Sequence, residues 1–342
     1  MNRGLVLGKF YPPHKGHIHL IEEAKKRSDH LTILICSLEK EMIPGSLRFQ
    51  WLKELCEDKT TEIIWVKDEN PQYPNEDQNF WEIWKQSILN HCKVKPDILF
   101  TSEEYGEPLS KVLSCKHIAI DIRRNLFPIS ATEIRNRPTK HWDYIPKPIQ
   151  PYFLKRIVLT GSESVGKTTM AEKLSKHFNT NWVPEFAREY LESKPTPMDM
   201  SDFLPIAEGH LHSENQLAKS ANRFLFLDTD LLTTKVYLER YYNNSIPWLT
   251  DRALDLKYDL SLFFDIDIPW IADRLRDLGD ERIFMRSMFQ NAMEDANRPY
   301  TFISGSFQER KLKCVNLINR LSEEPMNPIY FNETQRQLRN FG

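Results

Sequence analysis

A single stretch constrains this chain more than any other. Gly161-Ser162-Glu163-Ser164-Val165-Gly166-Lys167-Thr168 fits G-x-x-x-x-G-K-[ST] between a strand-like run, Ile157–Thr160, and a helical period, Lys167–Phe178. Glycines let backbone N–H groups close around phosphate oxygens, and the helix that follows turns its positive end toward them. Lys167 is placed to reach β- and γ-phosphates and the Thr168 hydroxyl to ligate Mg²⁺, with Thr169 counted in the same nucleotide contact. Only 11 of the 342 residues are glycine, about half the usual ~7%, and such a composition yields about 0.003 matches by chance. A fortuitous turn is the competing reading, but it would not require both the strand and the helix.

Around this motif, runs rich in β-branched residues alternate with amphipathic periods, which predicts βαβ units and parallel sheets. Expected strands are Leu5–Phe10, Leu31–Ser37, Glu62–Lys67, Ile98–Ser102 and His117–Asp121, then Ile157–Thr160, Phe224–Leu227 and Leu262–Ile266. Helices are expected at His17–Ser28, Leu47–Glu57, Phe80–His91, Pro108–Ser114, Lys167–Phe178, Phe203–Ala221, Leu231–Tyr242 and Ile271–Leu278. Pro146, Pro148 and Pro151 interrupt any helix or central strand. We therefore expect two α/β domains in series, 1–148 and 149–342, a Rossmann-like unit and then a P-loop unit.

The remaining composition excludes several classes. Lys and Arg (46) nearly balance Asp and Glu (48), so the chain lacks the positive footprint of a nucleic-acid or membrane-surface protein. Five dispersed cysteines without C-x-x-C argue against a disulfide framework or zinc site, and no apolar run approaches a membrane span. A cytoplasmic protein is expected, with the oligomeric state left open, a homo-oligomer included.

In the second half, Phe224–Leu227 ends in Asp228-Thr229-Asp230, which delivers carboxylates to the phosphate end of a parallel sheet. Asp228 is the better Mg²⁺-side candidate; Asp230 is assigned to substrate, with helix capping as the alternative. Glu185, at a strand end, could orient or accept a hydroxyl proton, and Arg188 lies on the same helical face. Arg274, Arg276, Arg282 and Arg286 flank Gly279 in a charge-rich stretch suited to a lid over ATP, although a solvated helix face reads the same way.

In the first half, Gly8-Lys9-Phe10-Tyr11-Pro12-Pro13-His14-Lys15-Gly16-His17 leaves the first strand and opens the first helix. Two histidines bracketed by glycines at a helix N-terminus suit polyphosphate; no carboxylate or cysteine completes a metal set with His19. Ser130, Thr132 and Arg135 start another helix, as a capping box with Glu133 or as a second wall of a triphosphate site. Trp81 and Trp84 read as core residues at helical spacing or as stacking surfaces.

H-x-G-H after the first strand, with I-S-x-T-x-x-R near the domain's end, resembles the nucleotidylyltransferase superfamily, in particular nicotinamide-nucleotide adenylyltransferases. Followed by a P-loop kinase, it resembles the bacterial bifunctional nicotinamide-nucleotide adenylyltransferase/ribosylnicotinamide kinase family. Supporting stretches include Phe80-Trp81-Glu82-Ile83-Trp84, Thr101-Ser102-Glu103-Glu104, Trp142-Asp143-Tyr144-Ile145-Pro146 and Pro269-Trp270-Ile271-Ala272-Asp273. The resemblance implies ATP and Mg²⁺ as cofactors and small-molecule substrates. Ribosylnicotinamide is phosphorylated in the second domain, and nicotinamide mononucleotide is adenylylated to NAD and pyrophosphate in the first. It places Gly8, Lys9, Phe10, His14, Gly16, His17, Ser130, Thr132 and Arg135 around the triphosphate and Trp81 or Trp84 against the nicotinamide ring. Some family members carry an N-terminal helix-turn-helix repressor; this sequence starts at the adenylyltransferase strand, so DNA binding is not implied. Two rivals remain at this point: a fused phosphopantetheine adenylyltransferase/dephospho-coenzyme A kinase, and a nucleotide-sensing regulator without turnover.

Overall fold

Central strands of parallel sheets are covered on both faces, so their sequences are apolar throughout rather than alternating. The computed structural model describes residues 1–271 and 278–339 and divides after Gln150 into two compact units, each with its own sheet.

The first unit runs β1 (Arg3–Gly8), α1 (Lys15–Lys25), β2 (His30–Cys36), α2 (Gly45–Cys56), β3 (Thr61–Val66), α3 (Phe80–His91), β4 (Ile98–Thr101), α4 (Gly106–Leu113), β5 (Lys116–Ala119) and α5 (Ala131–Asn136). All pairs are parallel, in the order β3-β2-β1-β4-β5. The five expected strands are present, displaced by at most two residues. Val6, Ile33 and Ile35 pack with Leu20 and Ile21 of α1, whereas Leu5, Leu7 and Leu34 pack with Ile88 of α3 and Leu109 of α4. The order reverses between β1 and β4, and the crevice beyond their carboxyl ends is where such sheets bind ligands.

The second unit continues β6 (Lys155–Thr160), α6 (Lys167–Phe178), β7 (Trp182–Val183), α7 (Phe186–Ser193), α8 (Phe203–Ala218), β8 (Phe224–Asp228), α9 (Leu231–Tyr242), α10 (Pro247–Asp255), β9 (Leu260–Phe264), α11 (Arg282–Asp295), β10 (Thr301–Ile303), α12 (Phe307–Leu321) and α13 (Glu333–Arg339). Its sheet, also parallel, is ordered β10-β9-β6-β8-β7. The edge strands β7 and β10, of two and three residues, are too short to carry a periodicity. Strand β6 starts earlier than its apolar run, at Lys155 and Arg156, both buried. Lys155 Nζ donates to the Pro325 carbonyl at 2.8 Å, and Arg156 Nε to Glu214 at 3.0 Å, so neither charge is left bare. Ile157 and Leu159 pack with Met170 and Leu174 of α6 and Ile318 of α12; Phe263 packs with Leu211, Val236 and Phe289 of α8, α9 and α11. Most of the helix expected at Ile271–Leu278 lies outside the described residues; Gly279–Glu281 is a 3-10 turn. Among the described residues no helix is long and apolar enough to cross a membrane.

Candidate active sites

The chain leaves β6 through a loop that only glycine can make at two positions. Gly161 has φ +129°, and a Cβ there would meet the Phe264 carbonyl oxygen at 2.6 Å; Gly166, at φ +86°, caps α6. Lys167 follows at the first position of α6, its Nζ donating to the Gly161 and Ser162 carbonyls at 2.8 Å each. Arg310 of α12, fully buried, donates to the Val165 carbonyl at 2.9 Å, the Gly305 carbonyl at 2.8 Å and Asp267. It ties the loop to the segment after β9, a role that its helical sequence context did not signal.

Asp228 ends β8 beside Leu159 of β6, completely buried, and apart from the neighbouring Thr168 hydroxyl its carboxylate oxygens have no partner among the described residues. Burial, then the charge of Glu185, pushes its pKa up to about 6 against the pull of Lys167, Thr168 and Arg188. A buried anion next to a threonine hydroxyl, with no cation of the described residues bonded to it, is a fitting partner for a nucleotide-borne Mg²⁺, which uses one or two protein oxygens beside water and phosphate. Among the described residues no cluster of three or more His, Cys, Asp or Glu forms a protein-only metal cage.

Asp230 departs from its expected role as a substrate contact. Its Oδ1 accepts from the Thr233 N–H at 3.2 Å as the cap of α9, and its Oδ2 is ion-paired with buried Arg298. Both oxygens are committed to structure.

A cavity of about 770 Å³ opens from the loop, lined by Glu163, Ser164, Val165, Gly166, Lys167, Thr168 and Thr169. It continues past Glu185, Phe186 and Arg188 to Phe203, His210, Tyr237 and Tyr241. Glu185 is the N-cap residue of α7, with no side-chain capping bond, so its carboxylate is not consumed by the helix. Tyr237 and Tyr241 stack at 6.0 Å, presenting aromatic surface on the helix expected at Leu231–Tyr242. Arg282 donates from Nη1 to the Ile268 carbonyl at 2.8 Å, while its buried Nε and Nη2 have no partner among the described residues. Arg286 is instead paired with Asp265 at 2.9 Å and stacked on Phe302. Arg274 and Arg276 lie outside the described residues.

In the first unit, Phe10 takes φ +47° and turns the chain out of β1. Its ring is core, not ligand surface, and meets His17 edge-on at 5.0 Å. His14 caps α1; its N–H donates to His17 Nδ1 at 3.3 Å, which leaves the His17 proton on Nε2, and the two rings stack at 3.7 Å. Burial, then the charge of Arg124, lowers His14 to about 4; burial and then His14 hold His17 well below its usual value. Both imidazoles are neutral at neutral pH. Gly16 makes room for the pair, since a Cβ there would touch the His14 ring at 3.0 Å. Gly8 is an ordinary last strand residue whose Cβ would make only normal contact, so glycine is not required at that end of the histidine turn.

Two arginines hold the turn between Lys9 and Tyr11. Arg48, fully buried on α2, donates to the Lys9 carbonyl at 2.7 Å and to Glu41 at 2.6 Å; Arg135 of α5 donates to the Tyr11 carbonyl and lies over the Tyr11 ring at 4.3 Å. Lys9 is itself paired with Glu41 at 3.0 Å. Thr132 accepts from Arg135 at 2.9 Å, and Ser130 caps α5 in a reciprocal box with Glu133, the structural alternative for that residue. Trp84 donates to the Pro71 carbonyl at 2.9 Å and, with Trp81, packs half-buried on the core, the arrangement of core tryptophans. Arg48, Glu41 and Arg124 were missed; they lie in loops and helices where isolated charges carry no periodic signal.

Comparison with known proteins follows this division. A cytidylyltransferase-like family model matches residues 5–137, and an AAA domain model matches residues 156–310. The trifunctional NAD biosynthesis/regulator proteins NadR of Escherichia coli (strain K12) and Salmonella typhimurium (strain LT2) are each 29% identical over 348 aligned positions. The alignments span 94% of this chain and 83% or 84% of the relative. Two crystal structures of NadR protein, one in complex with NR and one with NAD and AMP-PNP, superpose with TM-scores of 0.76 and 0.75. They are 20% and 21% identical and cover 95% of this chain and 97% of theirs.

Proposed function

We propose that this homologue of NadR makes NAD from ribosylnicotinamide in two steps on one chain. Its Pro151–Gly342 unit acts as the kinase and its Met1–Gln150 unit as the adenylyltransferase. What carries the proposal is the pairing, in a single chain, of a helix start holding two stacked neutral histidines with a glycine loop next to a buried carboxylate that no cation of the described residues neutralises.

In the kinase step the ribose 5′-hydroxyl attacks the γ-phosphorus of ATP, the γ-phosphoryl group moves to that oxygen and ADP leaves. Lys167 exchanges the Gly161 and Ser162 carbonyls for phosphate oxygens, and Glu185 orients the hydroxyl and takes up its proton. Arg282, with two guanidinium nitrogens that have no partner among the described residues, meets the charge that develops on the transferring group. A bound Mg²⁺ supplies charge neutralisation across the phosphate oxygens, and Thr168 and Asp228 are the residues that would hold it. The flat cationic base lies against the aromatic surface of Phe186, Tyr237 and Tyr241.

In the adenylyl step the phosphate of the mononucleotide attacks the α-phosphorus of ATP and pyrophosphate departs. This nucleophile is already ionised, so no general base is demanded. His17 Nε2–H donates to phosphate oxygen at the amino end of α1, supported by His14. Lys9 gives up Glu41 for phosphate, while Arg135 and Arg48 keep the turn in place. Five free cysteines suit a reducing, cytoplasmic setting.

The test is complete conversion. Purified protein given ribosylnicotinamide, ATP and Mg²⁺ is expected to form NAD, ADP and pyrophosphate, and to form no dephospho-coenzyme A from phosphopantetheine. Dephospho-coenzyme A without NAD would overturn the assignment in favour of the coenzyme A rival.

A further inference from the structure

One polar residue of the second unit's cavity has no part in the chemistry above. His210 lies on α8, on the face that also carries Phe203 and Ile206, and all three line the cavity. It is 3% exposed, and its Nε2 is buried without a hydrogen-bond partner among the described residues, a condition that costs free energy unless a ligand relieves it. The preceding residue explains the close wall: a Cβ on Gly209 would fall 2.1 Å from the Phe186 ring, so α7 rests directly on α8 beside His210. Across the cavity α9 contributes Thr233, Thr234, Tyr237 and Tyr241. Neither α8 nor α9 brings a lysine or arginine to the lining. The cations that do line it come from the glycine loop, α7 and the segment after it, and Lys194 of that segment is held by Asp202 at 2.5 Å and Asp199 at 3.2 Å.

We propose that His210 is the specificity-determining residue of this cavity, hydrogen-bonding the uncharged carboxamide of a pyridinium riboside and excluding the riboside whose ring carries a carboxylate. The proposal rests on the kinase reading of the second unit. A carboxamide offers both a donor and an acceptor, so it satisfies a neutral imidazole in either tautomer. Burial outweighs the attraction of Glu214, Asp230 and Glu185 and keeps His210 neutral. A carboxylate at this wall would therefore meet no cation from α8 or α9, and the charges that act on the imidazole are themselves carboxylates.

The experiment compares kinase kinetics of the full chain on ribosylnicotinamide and on nicotinic acid riboside, for wild type, His210→Phe and His210→Gln. Wild type is expected to favour the amide by about 100-fold or more in kcat/KM. His210→Phe should raise the KM for ribosylnicotinamide about tenfold or more and narrow the amide-to-acid ratio. The KM for ATP should stay within about twofold, showing that the unit is folded, and His210→Gln should restore most of the loss. Equal use of both ribosides by wild type would overturn the proposal, as would an unchanged KM in His210→Phe or equal rises in both KM values. If wild type phosphorylates ribosylnicotinamide and only the His210 effects are absent, the specificity assignment alone falls; if it phosphorylates neither riboside, the kinase reading falls with it.

Discussion

Asp228 and Asp230 stand two residues apart in one strand-to-helix junction and do opposite work. Asp230 is satisfied by its own helix and by Arg298, 68 residues further on, whereas Asp228 is buried with no charged partner bonded to it among the described residues. A run ending in two carboxylates is legible as a phosphate-side feature, but the partner that removes one of them is not, because nothing local announces it. The raised pKa of Asp228, about 6, has a sign. A carboxyl that ionises less readily when folded weakens the fold as pH rises from its unfolded value, ~3.9, through the folded value. Asp228→Asn should therefore stabilise the nucleotide-free second unit at pH 7.5 by about 1–3 kcal/mol, with the gain fading toward pH 4, while kinase activity falls by about 10²-fold or more. Melting curves at the two pH values and a kinase assay read both effects; a lower melting temperature at pH 7.5 would contradict them. His14, lowered to about 4, acts in the other direction. Its neutral form belongs to the fold, so stability present above pH ~6.5 is lost as pH falls toward 4, and His14→Gln should flatten that limb for the first unit.

At the level of elements, glycine placement shows how far local sequence reaches. Gly161 and Gly166 take positive φ, the conformation that the glycine motif admits and other residues rarely adopt. Gly16 serves a different end, room for a histidine ring, and Gly279 lets the Trp270 indole approach to 2.8 Å of where a Cβ would stand. Motifs are legible because their geometry is closed within a few residues; the elements that brace them are not. Arg310 reads as one more charge on a helix, yet it is 2% exposed and reaches 145 residues back to the Val165 carbonyl. Arg310→Met keeps the volume and removes the donors that join α12, the glycine loop and the segment after β9. The expected result is a rise of about tenfold or more in the KM for ATP and a loss of about 3–5 kcal/mol of stability in the second unit. ATP titrations and denaturant melts check this; an unchanged KM for ATP would show that the loop holds its shape without the arginine.

For the whole molecule, what matters is that each unit has its own parallel sheet, its own core and its own helix start after the first strand, the place proposed above for phosphate. Alternating strand and helix periods made both sheets legible, and the chain divides into its two compact units after Gln150. The depth of the second unit's cavity is not legible in the sequence, because its aromatic and histidine lining comes from α8 and α9, whose residues meet only after folding. Two self-contained sites predict separable losses. Lys167→Ala removes the cation that must leave two carbonyls for phosphate, so phosphorylation of ribosylnicotinamide should fall by about 10²–10⁴-fold. Adenylylation of nicotinamide mononucleotide, measured on its own, should stay within about twofold. His17→Ala should do the reverse, removing the Nε2–H donor and the stacking partner of His14 while ribosylnicotinamide is still phosphorylated. A mixture of the two variants should then form NAD from ribosylnicotinamide, since the mononucleotide released by one is substrate for the other. Loss of both half-reactions in either folded variant, or failure of the mixture to make NAD, would mean that the two sites do not act as independent catalysts.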